Sequence, residues 1–194
     1  MNKSRYIPFT QQPYCCTAAC IQMIMYRLGI PLMPQEDLAY ALGLTVPKED
    51  VPLFKKTRTG QRPDSGWGTH IQDAEFRMEK ILPELGIPLA VRYYLIDQIP
   101  SVADLKETLT ALVGEDADVL VCYDYIALWD TDTSNGHVNV FDYIEGDTVW
   151  LVDPAAGVPK YRKTTVKKLY DAMRVHGENN MGGLWLLEKQ QPSK

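Results

Sequence analysis

Residues 136–154 read Gly136-His137-Val138-Asn139-Val140-Phe141-Asp142-Tyr143-Ile144-Glu145-Gly146-Asp147-Thr148-Val149-Trp150-Leu151-Val152-Asp153-Pro154. β-branched and aromatic residues crowd two runs, His137 to Ile144 and Thr148 to Val152, and Glu145-Gly146-Asp147 between them is a hairpin turn. A histidine opens the first strand and an aspartate closes the second. Side chains alternate faces along a strand, so the turn decides whether the two share one. A three-residue loop sets Ile144 opposite Thr148 and Asn139 opposite Asp153. His137 then lies two residues along on the same face, within diagonal reach of Asp153. A two- or four-residue loop puts them on opposite faces, and the sequence permits either. Taken alone, the pair also reads as a surface histidine beside a turn-forming Asp-Pro.

Far upstream stands Tyr14-Cys15-Cys16-Thr17-Ala18-Ala19-Cys20. Small and apolar residues run almost unbroken from Thr17 to Leu28, with Gly29 as a stop and Pro31 beyond, so this is a buried helix with little solvent face. A cysteine at a helix N-terminus meets unpaired N–H groups and the positive end of the dipole, and both favour thiolate. Pro13-Tyr14 keep the preceding chain extended. Geometry ranks Cys16 first as a nucleophile and Cys15 second, with Cys20 a core filler one turn in. Free cysteines are also common as small buried hydrophobes, and that reading stays open for all three.

The remaining chain supplies a scaffold. Gln35 to Leu42 is a short amphipathic helix closed by Gly43. Residues 44–68 are a long loop excursion rich in proline and glycine, with the basic run Lys55-Lys56-Thr57-Arg58; a loop of that length suits a lid or substrate clamp, with Trp67 as an aromatic surface. Thr69 caps a predicted helix from His70 to Leu85, with Pro83 in its last turn. Leu89 to Leu95 is a strand, and Ser101 caps a helix over Val102 to Val113 that Gly114 terminates. Strands follow at Asp118 to Tyr125 and in the two runs of the hairpin, then a short strand, a helix near Thr165 to Met173, and a last strand at Gly183 to Leu187. Helices precede an antiparallel sheet, which makes the class α+β. His70 at a helix start and His176 in a polar loop read as solvent-facing.

With 194 residues, 45% of them hydrophobic, the chain suits one domain over 1–194, its core at about 7–187 and a tail from Lys189. The net charge of −5 argues against nucleic acid as the main partner. No stretch approaches the roughly 20 apolar residues of a membrane span, and the N-terminus lacks a signal-peptide core, so a cytoplasmic location is expected. Four cysteines, three of them crowded into 15–20, suit a reduced chain better than disulfides, and their spacing with Cys122 is no zinc-ribbon pattern.

Together the two blocks resemble the papain-like cysteine peptidase superfamily, and within it the bacteriocin-processing C39 peptidases and their C39-like relatives. The family's first block is a glutamine, a short spacer, then Asp-Cys-Gly and a small-residue helix ending near a glycine. It is similar to Gln11-Gln12-Pro13-Tyr14-Cys15-Cys16-Thr17 through Gly29. The second block, Gly-His, a strand, a Gly-Asp turn, a strand and Asp-Pro, resembles Gly136-His137 through Gly146-Asp147 to Asp153-Pro154. Gly68-Thr69 resembles an intervening Gly-Thr helix start.

The resemblance implies a papain-like fold, an N-terminal helical half packed against an antiparallel sheet. It makes Cys16 the nucleophile, His137 the general base and Asp153 the orienting acid, a place Asn139 equally suits. The Cys16 N–H and the Gln11 amide form the implied oxyanion hole, with Gln12 as substitute. Gln12, Tyr14, Cys15, Trp67 and Asn139 are the expected substrate contacts, and neither cofactor nor metal is implied. Cys15 stands where the family has aspartate, Thr17 where it has glycine, and Gln11 lies one residue closer to the cysteine than usual. The implied partner is a peptide, acyl or amide substrate. Three functions share these parts: a cysteine hydrolase, an acyl transferase, and an inactive peptide-binding module.

Overall fold

The computed structural model describes residues 4–54, 64–132 and 136–190. Its elements, in chain order, are α1 (Cys16–Arg27), α2 (Gln35–Ala41), β1 (Thr45–Val46), β2 (Asp64–Ser65), α3 (Met78–Glu84), β3 (Leu89–Leu95), α4 (Val102–Gly114), β4 (Asp118–Asp124), α5 (Tyr125–Trp129), β5 (Gly136–Glu145), β6 (Thr148–Val152), β7 (Tyr161–Thr165), α6 (Val166–His176) and β8 (Gly183–Lys189). Six strands make one antiparallel sheet in the order β3-β8-β4-β5-β6-β7. Helices cover both of its faces, so each central strand is buried on two sides.

Alternation along β4 shows the division. Leu120 and Cys122 join α1, α2 and α3 in one apolar cluster, while Val119, Val121 and Tyr123 join α4, α5 and α6 in the other. Every residue of α1 from Thr17 to Met25 is buried, as an all-round apolar helix must be. Gly29, at φ +65°, ends it with a paired closure, Ile30 N–H to Met25 O at 2.8 Å and Gly29 N–H to Tyr26 O at 3.2 Å. Only a residue that tolerates the left-handed region closes a helix this way.

Four expectations change. Residues 69–77 form turns, and α3 begins only at Met78. The His70 N–H bonds Leu42 O at 3.0 Å and the Phe76 ring packs on Gly43, so the end of α2 holds this segment out of a helix. Tyr14 is not extended but sits at φ +61°, a conformation that costs a bulky residue about 1–3 kcal/mol. Its hydroxyl donates to Asp50 at 2.6 Å and its ring meets Trp67 edge-on at 5.7 Å, contacts that hold it there. Gly114 lies inside α4, and Asp116 at φ +53° makes the stop, tied by Arg5 and Arg27. The segment 44–68 is described only in part, since Lys55 to Pro63, with the basic run, lies outside the described residues.

The fourth change concerns the histidine hairpin. Its loop is two residues, Gly146-Asp147, because Glu145 pairs with Thr148 and Ile144 with Val149. Counted straight back, that register sets His137 and Asp153 on opposite faces. The pairing slips between Phe141 and Tyr143, however, so Asp142 is an extra residue in β5. Beyond the bulge Val140 pairs with Val152, which lines Asn139 up with Asp153. One surplus residue in the strand restores the face that the short turn would have lost.

Candidate active site

α1 begins at Cys16, and its cap residue Cys15 makes no side-chain hydrogen bond to the first turn. The free N–H groups and dipole of that turn act on the Cys16 sulfur. α1 lies against the start of β5, where the Cys20 thiol donates to Val138 O at 3.2 Å. His137 therefore arrives beside Cys16 on the wall of the same cleft, and each of the two shifts the other's pKa. The other face of the ring belongs to Asp153: His137 Nε2 and Asp153 Oδ1 are 2.9 Å apart, which leaves Nδ1 for the sulfur.

Asp153 is fully buried, yet both its oxygens are bonded. Oδ1 accepts from His137 and from the Ala155 N–H at 2.9 Å, and Oδ2 accepts from Arg162 Nη1 at 3.0 Å. A carboxylate out of water survives only with such partners.

Burial opposes charge at all three groups, and their mutual contacts overcome it. Burial raises the Cys16 thiol, but neighbouring His137 outweighs it and holds the thiol below its ordinary value. Desolvation lowers His137, but the bonded Asp153 and the neighbouring Cys16 dominate and raise it to about 9. Asp153 falls to about 2, as His137, the Ala155 N–H and Arg162 outweigh its burial. The arrangement favours a thiolate–imidazolium pair braced by a carboxylate. Cys15, Cys20 and Cys122 are pushed upward by burial, so the four thiols are chemically unequal.

Cys16 and His137 line a cleft of about 730 Å³ together with Gln11, Tyr14, Trp67 and His176. Cys16 is half-buried, and Trp67 is 74% exposed at the rim. Gln11 is anchored by its backbone N–H to Pro154 O at 2.9 Å, and its buried Oε1 has no hydrogen-bond partner among the described residues. Gln12 is exposed outside the cleft lining, its N–H bonded to Gln35 Oε1 at 2.7 Å. Cys15 is fully buried in the core, so the expected substrate contact has no surface to act from. Asn139 is likewise fully buried: it accepts from Tyr123 and donates to Val152 O at 3.2 Å, with Asp153 rather than Asn139 on the imidazole.

The other histidines also differ from expectation. His70 bonds Thr45 Oγ1 at 3.0 Å and lies 3.6 Å from Asp73. His176 ends α6, packs its ring on Gly136 and lines the cleft, and burial lowers its pKa. Sequence reasoning missed it because its helix runs three residues past the expected end. Arg162 and Tyr125 were missed too. A lone arginine on a five-residue strand and a tyrosine at a strand end carry no local sign of what they face. Among the described residues no group of three or more His, Cys, Asp or Glu is arranged to hold a metal ion, and no helix is long and apolar enough to cross a membrane.

No family model matches the sequence, and no curated protein matches it. Solved structures do. A double glycine motif protease from an AMS/PCAT transporter, crystallised in complex with the leader peptide, is similar with a TM-score of 0.51 at 14% identity, over 98% of this chain and 95% of that one. This is the papain-like fold of the C39 peptidases. A Bacillus anthracis protein assigned as a C39-like peptidase is similar with a TM-score of 0.49 at 15% identity, over 98% of this chain and 100% of that one. At such identities the C39 likeness describes the path of the chain, and the chemistry rests on the side chains above.

Proposed function

We propose that the protein is a cysteine peptidase or amide hydrolase that works through Cys16, His137 and Asp153. The observation that carries this reading is a half-buried sulfur whose pKa a neighbouring imidazole lowers, with that imidazole 2.9 Å from a buried carboxylate, at the wall of a cleft. In it the Cys16 thiolate attacks the carbonyl carbon, and the electron pair of the C=O moves onto oxygen. In this reading the Cys16 N–H and the Gln11 carboxamide, which line the same cleft, stabilise that oxyanion. Turning the Gln11 amide group forfeits no hydrogen bond at its orphaned oxygen. His137 passes its proton to the leaving amine as the C–N bond breaks, then takes one from the water that releases the acyl group.

A peptide is the favoured substrate. The fold neighbour was solved with a leader peptide, and the cleft offers the Tyr14 and Trp67 rings beside the sulfur. Acyl transfer uses the same parts and differs only in the acceptor that clears the thioester. A thiol-directed probe tests the reading. Labelling at Cys16 near pH 6 that disappears in both Cys16→Ala and His137→Ala is expected, together with peptide turnover. Labelling indifferent to His137 would leave a peptide-binding module instead.

A further inference from the structure

We propose that Arg162 is a positioning residue that sets how tightly Asp153 holds the His137 ring; the inference rests on the triad reading above. Arg162 stands on β7 opposite Leu151 of β6. One nitrogen, Nη1, donates to Asp153 Oδ2 at 3.0 Å and to the Tyr125 hydroxyl at 2.8 Å. The guanidinium lies 3.5 Å from the centre of the Trp129 ring. Trp129 is itself fixed, donating from Nε1 to the Tyr123 hydroxyl at 3.0 Å, and Tyr123 bonds Asn139 in turn. Tyr125 closes the circuit, since its ring meets the imidazole edge-on at 4.7 Å. A single arginine thus touches both the carboxylate behind the histidine and the tyrosine beside it.

Two effects follow. A planar guanidinium stacked on an indole and bonded at two points cannot drift, so Asp153 keeps Oδ1 toward Nε2. The cation on Oδ2 also draws on the carboxylate's charge, so Asp153 supports the imidazolium less strongly than an unshared carboxylate would. A ring that must surrender its proton to a leaving group benefits from that moderation. The other titratable groups around the pair are Cys16 and Cys20 on α1, Cys122 and Tyr123 on β4, Tyr125 on α5, and His176 on α6. Lys160 directs its amino group to the Pro154 and Ala155 carbonyls at 3.0 and 2.7 Å. Besides the imidazolium itself, Arg162 is the cation bonded to Asp153 among the described residues.

The test uses the whole chain and iodoacetate, which the Cys16 thiolate alkylates with loss of iodide. The reagent's carboxylate is attracted by an imidazolium, so the rate falls when the ring loses its proton, and the upper pH limb reports His137. In Arg162→Met that limb is expected to rise by about 0.5–1 pH unit, the effect of removing a charge several ångströms away. Arg162→Lys, which keeps the charge, is expected to stay near wild type. Circular dichroism checks the fold of each. If Arg162→Met does not fold, Tyr125→Phe decides, since it removes one of the two anchors on Nη1. Its limb should rise by a smaller amount. A limb that stays put or falls in whichever variant decides, or an Arg162→Lys limb that moves as far as Arg162→Met, overturns the proposal alone. A wild-type profile with no bell at all overturns the triad reading and the proposal with it.

Discussion

On the sheet side of the cleft, His137, Asn139 and Asp153 are buried, and each is tied to neighbours from β4, β6 or β7. On the helix and loop side, Cys16 is half-buried, Tyr14 is held at φ +61°, Gln11 keeps an orphaned oxygen, and Trp67 is open to solvent. Under the proposed function the difference has a physical sense. Proton transfer needs fixed partners at fixed distances, and the sheet supplies them. Gripping a chain needs surface that is not already occupied, which the loop side retains. A site can be rigid where it handles protons and unsatisfied where it meets its ligand.

The sharpest way to break this contrast is Asp153→Ala. It leaves Arg162 with an uncompensated charge against the core, so we expect about 3–5 kcal/mol lost in urea unfolding, with thiol reactivity lost as well. Next is His137→Ala. Without the imidazolium, Cys16 returns toward an ordinary thiol, about 1% ionised at pH 6.5; alkylation at that pH is expected to slow about a hundredfold.

A third measurement follows the ring itself. With His137 raised to about 9, its nitrogen signals should keep both protons through neutral pH and titrate near 9. The sign for stability is then fixed. A histidine raised above its ordinary 6.5 stabilises the fold fully below that pH and loses the contribution as pH rises through about 9. Asp153, lowered to about 2, contributes above its ordinary range and fails as pH falls toward 2. Cys16→Ala removes one support of the imidazolium and should move the ring's titration downward. The smallest effect is expected at the rim. Trp67→Ala should change stability by no more than about 0.5 kcal/mol while weakening peptide binding several-fold, which separates grip from chemistry.

The same contrast explains what was legible in the sequence. α1 carried its own signals: an apolar run, a small-residue start, and Gly29 as its stop. The hairpin carried its strands, its turn and the Asp-Pro at its close. Residues 69–77 misled because Phe76 and His70 answer to the end of α2 rather than to their own periodicity. The five-residue α5 was too short to show a helical stripe. The bulge at Asp142 was hidden for a related reason. Burial raises the Asp142 pKa, opposed by Ser4 and Arg5, so groups that act on that residue lie near the N-terminus. Reading 136–154 alone cannot reveal what docks from there.

That surplus residue has a wider consequence. Loop length and strand length in this hairpin act as two terms of one parity: a residue removed from the turn and added to the strand leaves both ends pointing as before. Two chains can therefore carry the same His and Asp orientation with gaps in different places. A search keyed to the distance from histidine to aspartate finds both, since the total is unchanged; one keyed to the distance from the histidine to the turn would pass over one of them, even when the atoms superpose.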